Sequence, residues 1–313
     1  MHLLVPYASA LAPACEAAQQ NLALPNLQRL LARLALSTAD EADEFNPTPP
    51  HERALARLRG LPAMPGRQPW AALALADAGQ APGGDAWAWI TPCHWQIAPD
   101  HISMTDPAAL GLTEAESRAV LALVSPYFAE DRITLDYRSP TTWLARGDIF
   151  RDLPSASLDR VTGRSIDLWM PDGPAARPLR RLQTEFQMLL YTDPMTDERN
   201  ARGLAAVNAF WISGTGALPE GIRPAPAALV VPQGLREAAL HENWAAWRQA
   251  WQEIDAGACA DALRALDAGE PVTLTLCGER AALEFTPSKP TLSQRLRGLF
   301  GAKAGLQDWT ARL

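Results

Sequence analysis

Short runs of strand character alternate with helical stripes along most of this chain, and that alternation limits the fold more than any other feature. The first run is "HLLVP", residues 2–6. It is followed by "LPNLQRLLARL", in which Leu27, Leu30, Leu31 and Leu34 share one helical face. Helices follow over "HERALARLRG" and "WAALALADAG". "DAWAWITP" reads as a strand by alternation and aromatic content, and "DRITLDYRSPTTWLA" as two strands turned at Ser139-Pro140. "LTEAESRAVLALVSPYF" is a helix opened by Thr113 and Glu116, which have capping-box spacing. "PLRRLQTEFQMLLY" is another, turning Leu179, Leu182, Phe186, Leu189 and Leu190 inward. "AVNAFWIS" and "PAALVVP" read as strands, "HENWAAWRQAWQEI" as a helix and "VTLTLCGERAALEF" as a hairpin turned at Gly278-Glu279. The pattern is that of an α/β protein with a mixed, largely parallel sheet flanked by helices. It predicts a single α/β domain over 1–313, with an inserted subdomain around 90–180. The acidic, Pro-rich "DEADEFNPTPP", residues 40–50, predicts a surface loop. The basic amphipathic "SQRLRGLFGAK", residues 293–303, predicts a solvated helix.

Composition narrows the partners. With 28 Lys+Arg against 35 Asp+Glu and no long basic run, a phosphate backbone is a poor match, so no nucleic acid is expected. No apolar run is long enough to span a bilayer, and the start of the chain lacks the basic segment of a signal peptide. Cys15, Cys93, Cys259 and Cys277 stand far apart with no C-x-x-C pair, which fits a reduced, cytoplasmic setting.

Chemistry is concentrated in "LQTEFQMLLYTDPMTDERNARGLAAVNAFWISGTG", residues 182–216. Arg199 offers a bidentate fork to an anion, with Gly203 and Asn208 beside it and Arg138, Arg164 and Arg202 as helpers. The same residues also suit a helix that ends at Gly203, with Asn208 tying down a strand edge. Gly214 and Gly216 suit a backbone cradle for phosphate, or an ordinary turn. Cys93 and His94 are neighbours on one strand and so point to opposite faces, which argues against a thiol–imidazole pair. "TPCHWQIAPDHISMTDP" reads equally as a ligand loop at a strand end or as a buried loop whose side chains satisfy its backbone. Trp244, Trp247, Trp251 and Ile254 recur at helical spacing, as a core stripe or as a surface for a protein partner.

The block "DPMTDERNARGLAAVNAFWISGTG" resembles a signature of the archaeal-type, cofactor-independent phosphoglycerate mutases of the alkaline-phosphatase superfamily. Pro194, Arg199, Gly203, Asn208, Gly214 and Gly216 fall in register with it, while Asp193 and Thr196 stand where it prefers His and Asn. "LPNLQRL", with Pro25 and Asn26, is similar to a segment near the start of those mutases. Across the whole chain, "VPYAS", "TPCHWQ…DH" and "SLDRVTGR" resemble RpfE-type regulatory proteins.

The resemblance implies a shortened core of the alkaline-phosphatase type. It also implies a chemistry that needs two divalent metals and a Ser or Thr nucleophile. The family's first metal ligand is an Asp in an Asp-Gly pair ending strand one, where this chain has Pro6-Tyr7. Asp100-His101 imitates a metal pair of the superfamily but precedes the Arg–Gly–Asn block. The expectation is therefore no metal, no cofactor and no catalytic residues, and a regulatory protein that binds an anionic phosphorylated small molecule. Two other readings stay open: an active mutase or phosphatase with a rearranged site, and a module that binds a protein partner.

Overall fold

The computed structural model describes residues 1–173, 176–287 and 307–313, with the side chains of 307 and 308 left aside, so the basic segment at 293–303 lies outside the described residues. The chain divides into two compact units, one of Met1–Glu44, Pro49–Arg59 and Arg223–Leu313, the other of Phe45–Thr48 and Gly60–Ile222.

The first unit is built around β1 (His2–Val5). Leu3 and Val5 enter one apolar cluster and Leu4 another, so the strand is buried on both faces and reads as an unbroken apolar run. It pairs in parallel with β10 (Thr273–Cys277) and β9 (Leu229–Val230). A turn then leads β10 into antiparallel β11 (Ala281–Pro287), which pairs with β2 (Leu34–Glu41). The order is β2-β11-β10-β1-β9. Among the described strands of this sheet, the two parallel ladders are those of β1. β2 escapes sequence reading because "LALSTADE" has small and polar residues and is half exposed.

One face of this sheet is covered by α1 (Pro13–Gln19), α2 (Pro25–Arg33), α9 (Gly234–Leu240), α10 (Trp244–Ile254) and α11 (Ala260–Asp267). The other is covered by α3 (Pro50–Arg59) through Ala54, with Leu55 and Leu58. The expected mixed sheet flanked by helices is therefore present. The tryptophan stripe of α10 belongs to the core and not to a partner surface: Trp247 and Trp251 are fully buried, Trp244 is half-buried, and the three rings stack edge to face.

A single π-type turn, Asp255–Cys259, joins α10 to α11 and directs the buried Asp255 at the start of α2. Its carboxylate accepts from Leu27 N at 2.7 Å and Asn26 N at 3.3 Å, while Asn26 Nδ2 donates to the Asp255 carbonyl at 3.0 Å. A carboxylate there satisfies amides that the helix leaves unpaired and complements its dipole. The Pro25-Asn26 pair therefore serves as a helix start.

In the second unit β3 (Ala86–Cys93), β6 (Thr134–Ser139), β7 (Thr142–Arg146) and β8 (Ala209–Ala217) form an antiparallel sheet, ordered β6-β7-β3-β8. One face packs on α5 (Glu114–Glu130) and α7 (Arg177–Tyr191), the other on α4 (Trp70–Asp77). β4 (Trp95–Ile97) and β5 (Ile102–Met104) form a separate hairpin, near which lies the short α6 (Leu158–Val161). The "DEADEFNPTPP" stretch is only partly a surface loop. Asp40 and Glu41 end β2, and Thr48, Pro49 and Pro50 are buried. Thr48 Oγ1 donates to Gln68 at 2.7 Å and accepts from Gly66 N at 2.8 Å, so a buried hydroxyl replaces water for that turn.

Trp247 Nε1 donates to the Tyr7 carbonyl at 2.9 Å, whereas the buried Nε1 of Trp251 has no partner. Trp247→Phe removes a buried hydrogen bond and Trp251→Phe removes an orphaned donor. Denaturant unfolding is expected to show the first costing roughly 1–2 kcal/mol more than the second.

Candidate functional site

Asp193 accepts from Met195 N at 2.9 Å and so caps α8 (Pro194–Ala201), whose first residue is Pro194. Gly203 lies just past the helix end with φ 72°, a conformation that favours glycine. Asn208 holds β4 at both ends of its amide. Its Oδ1 accepts from Trp95 N at 2.7 Å, and its Nδ2 donates to the Trp95 carbonyl at 3.0 Å. This is the strand-tying role, with β8 beginning one residue later.

Arg199 is not presented to an open cleft. Its side chain is fully buried, and its donors reach the Ala205 carbonyl at 2.9 Å, Glu116 at 3.0 Å and the Leu110 carbonyl at 2.5 Å. Glu116 also accepts from Arg202 at 2.5 Å and, completing the capping box of α5, from Thr113 N at 2.9 Å and Thr113 Oγ1 at 2.8 Å. Burial pushes the Glu116 carboxyl up, but the bonds from Thr113 and Arg202 and the charge of Arg199 outweigh it and hold it at about 2. The capping box was legible at Thr113 and Glu116. The second role of Glu116 was not, because its partner lies 83 residues away.

The two motif glycines also have structural occupations. β8 bulges opposite β3, where Trp87 faces Gly216 and Trp89 faces Ser213. Gly214 has φ 64°, and a Cβ there would press on Trp89 and Trp70; one on Gly216 would press on Pro69. Between them Thr215 is buried, its hydroxyl donating to the Leu153 carbonyl at 2.6 Å and lying 3.0 Å from Ser155 Oγ. These glycines let α4 approach β8, and both lie within that strand.

Arg138 is exposed on the edge strand β6, and Arg164 is exposed after α6. Of the named helpers, Arg202 shares a partner with Arg199. Cys93 is buried, which pushes its thiol far up, while His94 Nδ1 lies 2.8 Å from the Ala206 carbonyl. Asp100 and His101 are exposed and bonded to each other at 2.8 Å. Among the described residues no group of three or more His, Cys, Asp or Glu is placed to hold a metal ion.

The carboxyl ends of parallel strands are where open α/β sheets bind ligands. At the end of β1, Tyr7 is buried with φ 53°, and Ala8 N donates to the Cys277 carbonyl at 2.7 Å. Ser9 Oγ accepts from Gln19 at 3.0 Å, and Leu11 N donates to the buried Glu279 at 2.6 Å. The amide bonded to Ser9 is neutral and cannot take its proton, so this pair does not make the hydroxyl a nucleophile.

No protein-family model matches the chain, and no curated protein matches it. Among solved structures it is similar to the PH0037 protein from Pyrococcus horikoshii, with TM-score 0.46 and 13% identity, over 93% of this chain and 88% of that one. It is also similar to a cofactor-independent phosphoglycerate mutase from Thermoplasma acidophilum, with TM-score 0.36 and 14% identity, over 91% and 89%.

Arg199→Ala removes the guanidinium's bonds to Glu116 and to the Leu110 and Ala205 carbonyls and is expected to destabilise the protein by roughly 2–3 kcal/mol in denaturant unfolding, where an arginine in a solvated cleft would cost little. Because the Glu116 carboxyl is depressed from 4.5 to about 2, its stabilisation is fully present above 4.5 and is lost as pH falls through 2. The stability gap between wild type and Glu116→Gln is therefore expected to shrink across that window.

Proposed function

We propose that this chain is an RpfE-type regulatory protein, a relative of the cofactor-independent phosphoglycerate mutases that lacks their metal site and acts by binding in the cytoplasm. The observation that carries this reading is the end of β1. Where the resemblance requires an Asp to ligate metal, this chain has Pro6-Tyr7, and the Tyr7 carbonyl is bonded to Trp247 inside the core. Phosphoryl transfer depends on neutralising the charge of the transferring group, and a buried phenol at that place supplies none. The burial of Arg199 supports the same reading, because the family-like block then serves as scaffold.

The ligand proposed is an anionic phosphorylated small molecule. Arg138, Arg164 and Arg202 are all exposed, and Arg202 is already paired with Glu116, so the ligand would meet Arg138 or Arg164 and not the buried Arg199.

After incubation with manganese or zinc and removal of excess ion, elemental analysis is expected to find no stoichiometric metal. A coupled assay with 3-phosphoglycerate is expected to give no turnover. Two metals per chain, or turnover abolished by Ser9→Ala, would overturn the reading in favour of an active mutase or phosphatase.

A further inference from the structure

In the first unit, α12 (Gln307–Thr310) and the residues after it fold back onto the turn between β10 and β11. The Leu313 carbonyl oxygen accepts from Arg280 N at 3.0 Å and Ala281 N at 3.1 Å, and the Leu313 side chain is buried in the main apolar cluster. Trp309 packs edge to face on Phe285, ring centroids 4.9 Å apart, and Arg312 pairs with Glu41 at 3.2 Å. The turn is shaped for this segment. Gly278 does not have a positive φ, so its conformation alone does not call for glycine, yet a Cβ there would run into the Leu313 backbone.

The hold is weak for its position. α12 is one turn long and has little stability of its own. Trp309 Nε1 is buried without a partner, which opposes docking. Arg312 and Glu41 are both well exposed, so their pairing is screened. What the segment covers is the carboxyl end of β10, beside the end of β1, the place where sheets of this kind take ligands.

We propose that Trp309–Leu313 is a releasable strap, and that Gly278, Arg280, Ala281 and Phe285 form a peptide-docking site that it occupies in the resting state. The backbone amides of Arg280 and Ala281 recognise a carbonyl oxygen, Phe285 an aromatic side chain, and Gly278 admits the close approach of a backbone. The inference is independent of the phosphorylated ligand proposed above.

Hydrogen exchange on the unaltered full chain reads the release directly. The amides of Arg280 and Ala281 are expected to exchange about tenfold or more faster than the ladder amides of β10 and β11. Exchange as slow as the ladder would mean that the segment leaves only with global unfolding, and would overturn the proposal. A labelled peptide of residues 308–313 gives a second reading. The full-length Trp309→Ala variant, its own strap weakened, is expected to bind the peptide about tenfold more tightly than wild type. Adding Gly278→Ala to that variant is expected to abolish binding. Equal binding by wild type and Trp309→Ala, or binding that survives Gly278→Ala, would contradict the docking site.

Discussion

The Arg199 guanidinium carries five N–H donors and a full charge to a position that solvent does not reach, and such a group is tolerated only where oxygen acceptors surround it. Three segments supply them: the Glu116 carboxylate from the first turn of α5, the Leu110 carbonyl just ahead of that helix, and the Ala205 carbonyl on the way into β8. The spacing of the Arg–Gly–Asn block follows from that demand. Gly203 turns the chain so that Ala205 lies under the guanidinium, and Asn208 then fixes the chain to β4 before β8 begins. In this pattern each guanidinium nitrogen of Arg199 donates to the protein itself, two to backbone carbonyls and one to a carboxylate.

The same economy governs the first unit. Asp255 meets the opening amides of α2, and Trp247 meets the carbonyl of Tyr7 at the end of β1. Buried backbone groups need partners, and in this molecule side chains provide several of them. Arginine, asparagine and glycine in motif positions are therefore weak evidence for a ligand until their partners are known.

What the sequence revealed and what it hid divide along the same physical line. Local signals were legible: the capping box at Thr113 and Glu116, the helix end at Gly203, the paired strands around Ser139-Pro140 and the core stripe of α10. Each depends on contacts within a few residues or on periodicity. The partners that hold the motif residues are remote in sequence: Glu116 for Arg199, Asp255 for Asn26, Pro69 and Trp70 for the two motif glycines. β2 was missed because its residues are too polar to reveal an edge strand, and the buried end of "DEADEFNPTPP" because composition cannot show where a proline packs.

The central claim is that the buried Arg199 and the partly exposed Glu116 form one structural unit, and a double-mutant cycle of Arg199→Met and Glu116→Gln in denaturant unfolding tests it most directly. The account predicts a coupling energy of roughly 1–3 kcal/mol, with the double variant more stable than the sum of the single changes implies. Additivity within about 0.5 kcal/mol would show that the two side chains do not depend on each other, and would contradict it.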